Sequence, residues 1–562
     1  MDLQLPQRFR PGRTSFNTNT EAVRKWVDEL PLLNTTRTGE LVTGTLDQIN
    51  TLDIPASERF AALELFTTPV MCAADGLKKT FIGKPVPLFG IELEHATDTI
   101  ELYNRMAFGY RILADDLGSD DGQHQLLATA IHRALRYLSE ILLANYQIYV
   151  QYPDGLWSII HALYALAEKF SLVSETVTDT TLHTPDSSSI DRIYKQILLL
   201  SLACPYRLRQ NEILYVYNAL HGWADSSRLY HADISHAHGL FSVDLAEDRP
   251  PTYRTLLDDQ QDERQQRILD TTEMKQQMQL AAAQEAGQKT RSAGLGGTGT
   301  MQRLMLAWGV MPKRRFNRHR EDGQVELVVG LNAIHQMSAV PVPVEQHSNG
   351  ISETIHSHQY LQDPTFESTT SINTDFGIYQ GRRSEPAAAP GKENPLKGAY
   401  LASTSPPARH EAWKMADISA GGYCLLHEAE SASSVRVGEL VAIPPGETAQ
   451  PDSPQLGIVR WLRFTRERGL ELGLQLLSPG ARAVWVSICE DEINRPERLQ
   501  GILLPEIKPL RQPATLLLPS LPFRTGCLST IEYGDRNEVI KLTRQLENTG
   551  CFAQYDFSRA DQ

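Results

Sequence analysis

Two short polar motifs, Lys313-Arg314-Arg315-Phe316-Asn317-Arg318 and Asp417-Ile418-Ser419-Ala420-Gly421-Gly422, stand far apart in this chain. The first places two arginines four residues apart, directly before a strand-like run. An arginine guanidinium donates two parallel hydrogen bonds to a phosphate, and its plane can also stack on a base. The second motif combines a short acid, a hydroxyl and glycines, which suit a turn where side chains and backbone N–H groups reach a base edge. Together the motifs predict one site for a small anionic nucleotide with a guanine base.

The residues around the two motifs follow a strand pattern. Val325, Leu327 and Val329 alternate with their neighbours as a half-buried strand does. Further strand-like segments follow downstream: Val437 to Val441, Gly457 to Trp461, and Glu471 to Leu476. In this order, motifs and strands resemble the PilZ domain, the bacterial receptor module for cyclic di-GMP, and more specifically PilZ proteins with a long helical N-terminal region. The resemblance covers residues 308–480.

The resemblance implies an antiparallel β-barrel that binds cyclic di-GMP as a ligand, with no cofactor, no metal and no catalytic residue. The family's RxxxR motif is met by Arg314 and Arg318, and its [D/N]xSxxG motif by Asp417, Ser419 and Gly422. In this interpretation the two arginines clasp the phosphates and stack on guanine, Asp417 and Ser419 read guanine edges, and Gly422 lets the backbone turn. The predicted ligand-binding set is Arg314, Arg315, Arg318, Asp417, Ser419 and Gly422, with Arg460 as a weaker candidate.

The chain departs from the family pattern in the distance between its two motifs, which exceeds the family's usual spacing. The excess lies mostly in residues 340–410, a stretch rich in Ser, Thr, Pro, Gly and His. Such a composition buries too little apolar surface to offset chain entropy, so a disordered insertion is predicted. Each doubling of loop length adds only about 0.6 kcal/mol of closure entropy, so the barrel tolerates it. Arg382-Arg383, inside this stretch, is a rival phosphate contact that lacks the RxxxR spacing.

Length, charge and cysteine usage limit the class of protein. A chain of 562 residues predicts at least two domains, because single cores stop growing near about 250–300 residues. A net charge of −14 disfavours binding to nucleic acid polymers, whereas a compact dianion held by a local arginine cluster is compatible with it. The cysteines form no CxxC pair, which is typical of a reduced, cytoplasmic protein. No secretory signal and no membrane span are predicted.

The predicted fold class is α+β and multidomain. Apolar residues at helical spacing over residues 20–245 predict a helical bundle or short solenoid. The longest such runs are Ser57 to Leu77, Ala96 to Leu117, His124 to Tyr149, Gly155 to Leu172 and Ile190 to Ala219. Strand patterns beyond Pro479 predict an additional small antiparallel β unit, either packed on the barrel or forming a unit of its own. The predicted domains are a helical scaffold (1–255), a polar helical connector with a Gly-rich hinge (256–307), the PilZ-like barrel with its insertion (308–490) and a C-terminal β extension (491–562).

The connector contains a sequence that imitates a dinucleotide fingerprint. A polar, Gln-rich stretch from Asp258 to Ala286 predicts a solvent-facing helix, and Gly294 to Gly299 then matches GxGxxG. That fingerprint needs a preceding strand within a βαβ unit. Because a polar helix precedes it here, a flexible hinge is the favoured interpretation.

One further cluster, His231, Asp233, His236 and His238, has residue types that could hold zinc or iron. A polar junction near a helix end explains these residues equally well, and we assign no metal to them. The sequence therefore predicts a cyclic di-GMP receptor and adaptor rather than an enzyme, acting through an unidentified protein partner of the helical region. The alternatives are a constitutive protein-binding scaffold whose barrel no longer binds nucleotide, and a metal-dependent enzyme built on the His231 cluster.

Overall fold

The structure is a computed structural model that describes residues 3, 5, 7–12, 15–118, 122–181, 186–232, 239–254, 264–286, 298–309, 317–339, 410–428, 431–444, 454–488, 498–507, 512–534 and 536–560. The chain divides into two compact units. The first unit comprises Met1–Gln279 and Leu304–Met311, and the second comprises Leu280–Arg303 and Pro312–Gln562.

The first unit is built mainly of helices, which confirms the predicted helical region. Asparagine side chains cap the first two: Asn19 accepts a hydrogen bond from the backbone of Glu21, and Asn34 from that of Arg37. Side-chain caps of this kind satisfy N–H groups that the helix itself leaves unpaired. The helices are α1 (Thr20–Asp28), α2 (Thr35–Thr51), α3 (Ala56–Phe81), α4 (Gly90–Leu117), α5 (His124–Gln147), α6 (Leu156–Lys169), α7 (Ile190–Leu202) and α8 (Gln210–Trp223).

Two helices differ from the sequence-based prediction. The stretch predicted as one helix from Ile190 to Ala219 is two helices, because Cys204 has a positive φ of 54° and Pro205 follows it. A proline cannot continue the backbone hydrogen bonding, and a positive φ is incompatible with a right-handed helix. Helix α2 lies within the predicted helical region of residues 20–245, but no run of its own was singled out for it. Its buried face includes Thr38, Gly39 and Thr45, which carry little of the apolar periodicity that marks a helix in sequence.

The first unit also contains short strands. β1 (Thr176–Asp179) and β2 (Asp186–Ser189) form a hairpin. A four-stranded antiparallel sheet in the order β3-β6-β4-β5 joins β3 (Arg228–His231), β4 (Phe241–Asp244), β5 (Thr252–Tyr253) and β6 (Gln266–Asp270). Strand β6 lies where the sequence predicts a polar helix. Its Ile268 and Leu269 are buried in the sheet, and this tertiary packing overrides the polar, helix-favouring composition.

Two further helices follow the sheet. They are α9 (Thr272–Ala286) and α10 (Thr298–Ala307), and the division between the two units falls inside both of them. Of the Gly-rich hinge predicted at Gly294 to Gly299, residues 294–297 lie outside the described residues, whereas Thr298 and Gly299 form the first turn of α10.

Helix α3 is, among the described residues, the one helix long and apolar enough to cross a membrane. Half of its most apolar window is buried against other parts of the protein. Leu63, Phe66 and Val70 belong to this buried face.

The second unit contains a closed antiparallel barrel, which confirms the predicted PilZ-like β-barrel. The barrel order is β10-β11-β12-β9-β8-β7. Alternate leucines of one strand, Leu470, Leu472 and Leu474, are buried inside it. The elements are β7 (His319–Val329), α11 (Leu331–Ala339), β8 (His410–Ser419), β9 (Gly422–His427), β10 (Leu440–Ile443), β11 (Gln455–Thr465) and β12 (Gly469–Ser478).

The predicted C-terminal β unit is a second closed barrel. Its order is β13-β14-β15-β18-β17-β16. Numbered within each barrel, both sets of six strands follow the same closed order, 1-2-3-6-5-4. The strands are β13 (Arg482–Ile488), β14 (Leu499–Leu504), β15 (Thr515–Leu518), β16 (Leu528–Tyr533), β17 (Arg536–Asn548) and β18 (Ala553–Arg559).

The two barrels share an apolar core that lies outside both of them. Val328, Leu440 and Ile458 come from the outer face of the first barrel, and Ile502 and Leu517 from the outer face of the second. Helix α11 packs into the same cluster through Leu331 and Ile334. Burying apolar surface contributes roughly 25 cal/mol per Å², so this shared core holds the barrels together as one unit.

Candidate functional site on the first barrel

The structure brings Arg318, the last residue of the first motif, beside Asp417 of the second motif on the outer face of the first barrel. Strands β7 and β8 pair so that Arg320 lies opposite Asp417. Just before β7, the Nη1 of Arg318 lies 3.4 Å from Oδ2 of Asp417. The Arg318 side chain is 45% exposed and that of Asp417 25%. Residues distant in sequence thus form one partly exposed charge pair at the predicted site.

The predicted residues Arg314 and Arg315 lie outside the described residues, as does the rival pair Arg382-Arg383. Of the RxxxR motif, Arg318 is therefore the arginine whose surroundings the structure describes.

The second motif forms the hairpin that joins β8 to β9. Ser419 pairs with Gly422, and the Ser419 hydroxyl donates a hydrogen bond to the Gly422 carbonyl oxygen at 3.1 Å. A Cβ added to Gly422 would overlap the backbone carbonyl oxygen of Leu474 on β12. Only glycine permits this close approach between strands, so this position has a definite structural requirement.

A row of four residues crosses the outer face from β8 to β11. Asp417 lies opposite Cys424, Cys424 opposite Gly473, and Gly473 opposite Trp461. A Cβ at Gly473 would overlap the indole ring of Trp461, so the ring lies directly over this glycine. Because the neighbouring side chains are small and the ring lies against the sheet, the middle of the face is flat. We call Gly422, Cys424 and Gly473 the floor of the site.

The floor combines small side chains with an aromatic ring that covers one of its glycines. The Trp461 ring over Gly473 is partly exposed, and aromatic rings of this kind stack on nucleobases. Burial raises the pKa of the Cys424 thiol to about 11, so the thiol is neutral at physiological pH. The site thus offers a cation and an acid on one side and an aromatic surface on the other.

Sequence reasoning assigned Trp461 and Gly473 to strands and gave them no role in the site. One signal was present, because a glycine inside a strand often marks a close approach by another group. The identity of that group required the β11–β12 register, in which a bulge sets Trp461 opposite Gly473.

The structure places Arg460, the weaker candidate, at the junction of the two barrels. Its Nη1 and Nη2 donate to the two carboxylate oxygens of Glu547 at 2.5 and 3.1 Å, and its Nε donates to Oε1 of Gln475 at 2.6 Å. Gln475 in turn lies opposite Gly422. A bidentate pair of this kind is among the stronger hydrogen-bonded contacts in proteins, so Arg460 connects the edge of the site to the second barrel.

A buried charge cluster in the first unit has a structural explanation. The carboxylate of Asp179, at the end of β1, accepts a hydrogen bond from Nε of Arg136 at 2.9 Å. Arg133 lies 3.7 Å from the same carboxylate. A buried carboxylate needs such partners to offset its desolvation, and the pairing fastens the β1–β2 hairpin to α5.

The His231 cluster lies mostly outside the described residues, which include His231 but not Asp233, His236 or His238. The Nε2 of His231 lies 3.5 Å from Oε1 of Glu168. Over the part of the chain that the structure describes, no group of three or more His, Cys, Asp or Glu side chains could hold a metal ion.

Comparison with known proteins gives consecutive matches along the chain. Residues 21–233 match a family model described as "Cyclic-di-GMP receptor FimW, N-terminal domain". Residues 240–483 match "Cyclic-di-GMP receptor FimW, middle PilZ domain", and residues 484–560 match "FimW C-terminal beta-barrel domain". A curated relative, the cyclic-di-GMP receptor FimW of Pseudomonas aeruginosa (strain PAO1), is 26% identical over 582 residues, covering 100% of this chain and 94% of the relative. No solved structure matches the chain significantly.

Proposed function

The chain belongs to the PilZ domain family, as a multidomain member with a long helical N-terminal region, and on that premise we propose that it is a receptor for cyclic di-GMP. In this proposal the first barrel binds the nucleotide, and the bound state is transmitted to a protein partner. The observation that carries the proposal is the meeting of Arg318 with Asp417 beside the Ser419–Gly422 hairpin.

The contact between Arg318 and Asp417 is one that a bound ligand can replace with its own contacts to each of the two side chains. At 3.4 Å, and with an exposed arginine, the pair contributes little to stability. A phosphate can therefore take over the guanidinium at low cost and form the bidentate contact that arginine favours. Asp417 is then released to accept hydrogen bonds from the N–H groups of a guanine edge.

The remaining parts of the site position the nucleotide. The hairpin from Ser419 to Gly422 presents a hydroxyl and backbone groups beside Asp417, and the flat floor leaves room for a base. The Trp461 ring, which lies over Gly473, offers an aromatic surface for stacking. Arg314 and Arg315 supply further positive charge in the same motif as Arg318.

The proposed output is an adaptor function. Arg318 directly precedes β7, and the chain before it leads back to the first unit. A ligand that fixes Arg318 therefore acts on the connection between the barrel and the helical unit, which we propose as the partner-binding part. Such coupling requires the nucleotide to bind one arrangement of the chain more tightly than another. The outputs implied by the family are motility, pili, biofilm or exopolysaccharide production.

Titration calorimetry with cyclic di-GMP tests the proposed function. We expect saturable binding by the intact chain and at least a tenfold loss of affinity in Arg318→Ala and in Asp417→Ala, since each removes a charged hydrogen-bonding group worth about 1.5–3 kcal/mol. Arg559→Ala is the matched control, because Arg559 is an exposed arginine paired with Glu538 on the second barrel. A folded intact chain that does not bind the nucleotide would contradict the proposal and favour the constitutive scaffold.

A further inference from the structure

A buried carboxylate lies on the outer face of the first barrel, beyond the predicted site. Glu471 belongs to β12, one side-chain position along the same face from Gly473. Its side chain is only 1% exposed. Removing a carboxylate from water costs several kcal/mol unless charged partners compensate it. Its partners therefore explain why it is retained there.

Two arginines from the β11–β12 hairpin hold this carboxylate. Arg463 donates to Oε2 of Glu471 through Nε at 3.0 Å and through Nη2 at 2.5 Å. Arg468 lies with Nη1 at 2.8 Å from Oε1. The carboxylate thus fixes two guanidiniums side by side, and together the three groups carry a net charge of one positive unit.

Both guanidiniums keep a solvent-facing edge. The side chain of Arg463 is 41% exposed and that of Arg468 is 56%, whereas Arg460, which connects the two barrels, is 22% exposed. Within the described residues, their remaining N–H groups have no hydrogen-bond partner. An arginine that only joins two surfaces uses its N–H donors in contacts with them, as Arg460 does with Gln475 and Glu547. Arg463 and Arg468 instead present oriented donors to solvent.

The arginine pair lies on the same face as the predicted site. Glu471 pairs with Leu426 of β9 and with Arg463 of β11, while Gly473 pairs with Cys424 and Trp461. With about 4.8 Å between strands and 3.3 Å per residue, Asp417 and Glu471 are roughly 12 Å apart along the sheet. Cys424 lies between them on β9, and the charges of Asp417, Glu471, Arg318 and Arg468 all act on the pKa of its thiol.

We propose that Arg463 and Arg468, oriented by the buried Glu471, form a second anion subsite that binds a phosphodiester group of cyclic di-GMP lying across the floor. This subsite rests on the proposed function and deepens it, because it sets a requirement for negative charge at both ends of the bound ligand. The phosphodiester comes from either of two sources, the far side of one nucleotide or a second nucleotide stacked on the first.

Titration calorimetry of the full chain with cyclic di-GMP, at one fixed salt concentration, tests the subsite. Arg468→Ala removes one guanidinium and leaves Arg463 to pair with Glu471, so the buried carboxylate keeps a partner. We expect its affinity to fall about tenfold, the loss of one charged hydrogen-bonded contact. Arg468→Lys restores the charge without the planar fork and is expected to recover part of this loss. Arg559→Ala is the control, and thermal unfolding confirms that each variant is folded.

The stoichiometry of the same titrations separates the two sources. One nucleotide per chain, bound more weakly by Arg468→Ala, assigns the phosphodiester to the same molecule. Two nucleotides in the intact chain and one in the variant assign it to a second, stacked molecule. The subsite is refuted if Arg468→Ala binds within twofold of the intact chain while Arg318→Ala loses binding. Absence of binding by the intact chain would instead refute the proposed function itself.

Discussion

The two barrels have the same strand order and use the same outer face differently. In the first barrel, the row across the second, third, sixth and fifth strands is Asp417, Cys424, Gly473 and Trp461. The corresponding row in the second barrel is Ile502, Leu517, Gln554 and Glu547. The first row forms the candidate ligand surface, while the second contributes to the shared core and to the contact with Arg460.

This difference shows that two barrels of the same topology have corresponding outer faces, and that the side chains on each face determine what can pack or bind there. Small residues and a tryptophan flanked by exposed arginines make a flat surface with charge at its edges. Branched apolar residues on the corresponding strands make a surface that packs against protein. Within the described residues, this face of the second barrel therefore packs against the first barrel.

The largest effect is expected from breaking the shared core. Leu517→Ala removes a fully buried side chain between the barrels. We expect a loss of about 3–4 kcal/mol in the free energy of unfolding, from lost burial and the cavity left behind. Urea denaturation of the variant measures this loss. Leu521→Ala is the control, since Leu521 is exposed. Equal stability of the two variants would show that the shared core does not hold the barrels together.

A somewhat smaller effect on stability, together with loss of binding, is expected from Gly422→Ala. The added methyl group overlaps the backbone of Leu474, so β9 and β12 must separate. We expect about 2–3 kcal/mol of destabilisation, as for other overpacked sites. Gly323→Ala on β7 is the matched control, because its Cβ would meet only the end of Met415 at 3.9 Å. If both alanine variants bind cyclic di-GMP like the intact chain, the close approach at Gly422 is not needed for the site.

The contact between Arg460 and Glu547 is expected to contribute about 1.5–2 kcal/mol, because its hydrogen bonds join charged groups. Glu547→Ala leaves a largely buried guanidinium with Gln475 as its remaining carboxamide partner. Denaturant titration should show a larger loss for this variant than for Glu538→Ala, whose partner Arg559 is 77% exposed. A larger loss in Glu538→Ala would argue against Arg460 as the connection between barrels.

The smallest effect concerns thiol reactivity. With the pKa of Cys424 near 11 because of burial, roughly one thiol in a thousand is ionised at pH 8. Alkylation by iodoacetamide should therefore be slow and should accelerate about tenfold per pH unit up to that pKa. Cyclic di-GMP should slow it further at Cys424, on the floor of the site, but not at Cys527 in the interior of the second barrel. Mass spectrometry of the labelled cysteines checks this, and protection at Cys527 alone would place the ligand elsewhere.

The first barrel, and with it the approach of Arg318 to Asp417, was predicted through the resemblance of the two motifs and the strand patterns to the PilZ domain. The sequence did not predict the closure of the second barrel or the shared core. Alternation along β7 separates Leu327 from Val328 onto opposite faces, yet both are fully buried, because the second barrel covers the outer face. The pattern within one strand shows that a face is apolar, but it does not show which part of the protein packs on that face.

The pairing of Arg463 and Arg468 with Glu471 was also not predicted from the sequence. Arg463, Arg468 and Glu471 read as ordinary charges around a hairpin, and only the strand register shows that the carboxylate is buried between both guanidiniums. Pairing between strands, rather than residue type, creates this group.

Hydrogen–deuterium exchange of the full chain, with and without cyclic di-GMP, tests most directly whether one barrel is the receptor and the other its support. We predict slower exchange on ligand addition in the β8–β9 hairpin and in β12, with no change in β14 and β15 of the second barrel. Protection in β14 and β15 without protection in β8, β9 and β12 would contradict the assignment of the ligand face to the first barrel.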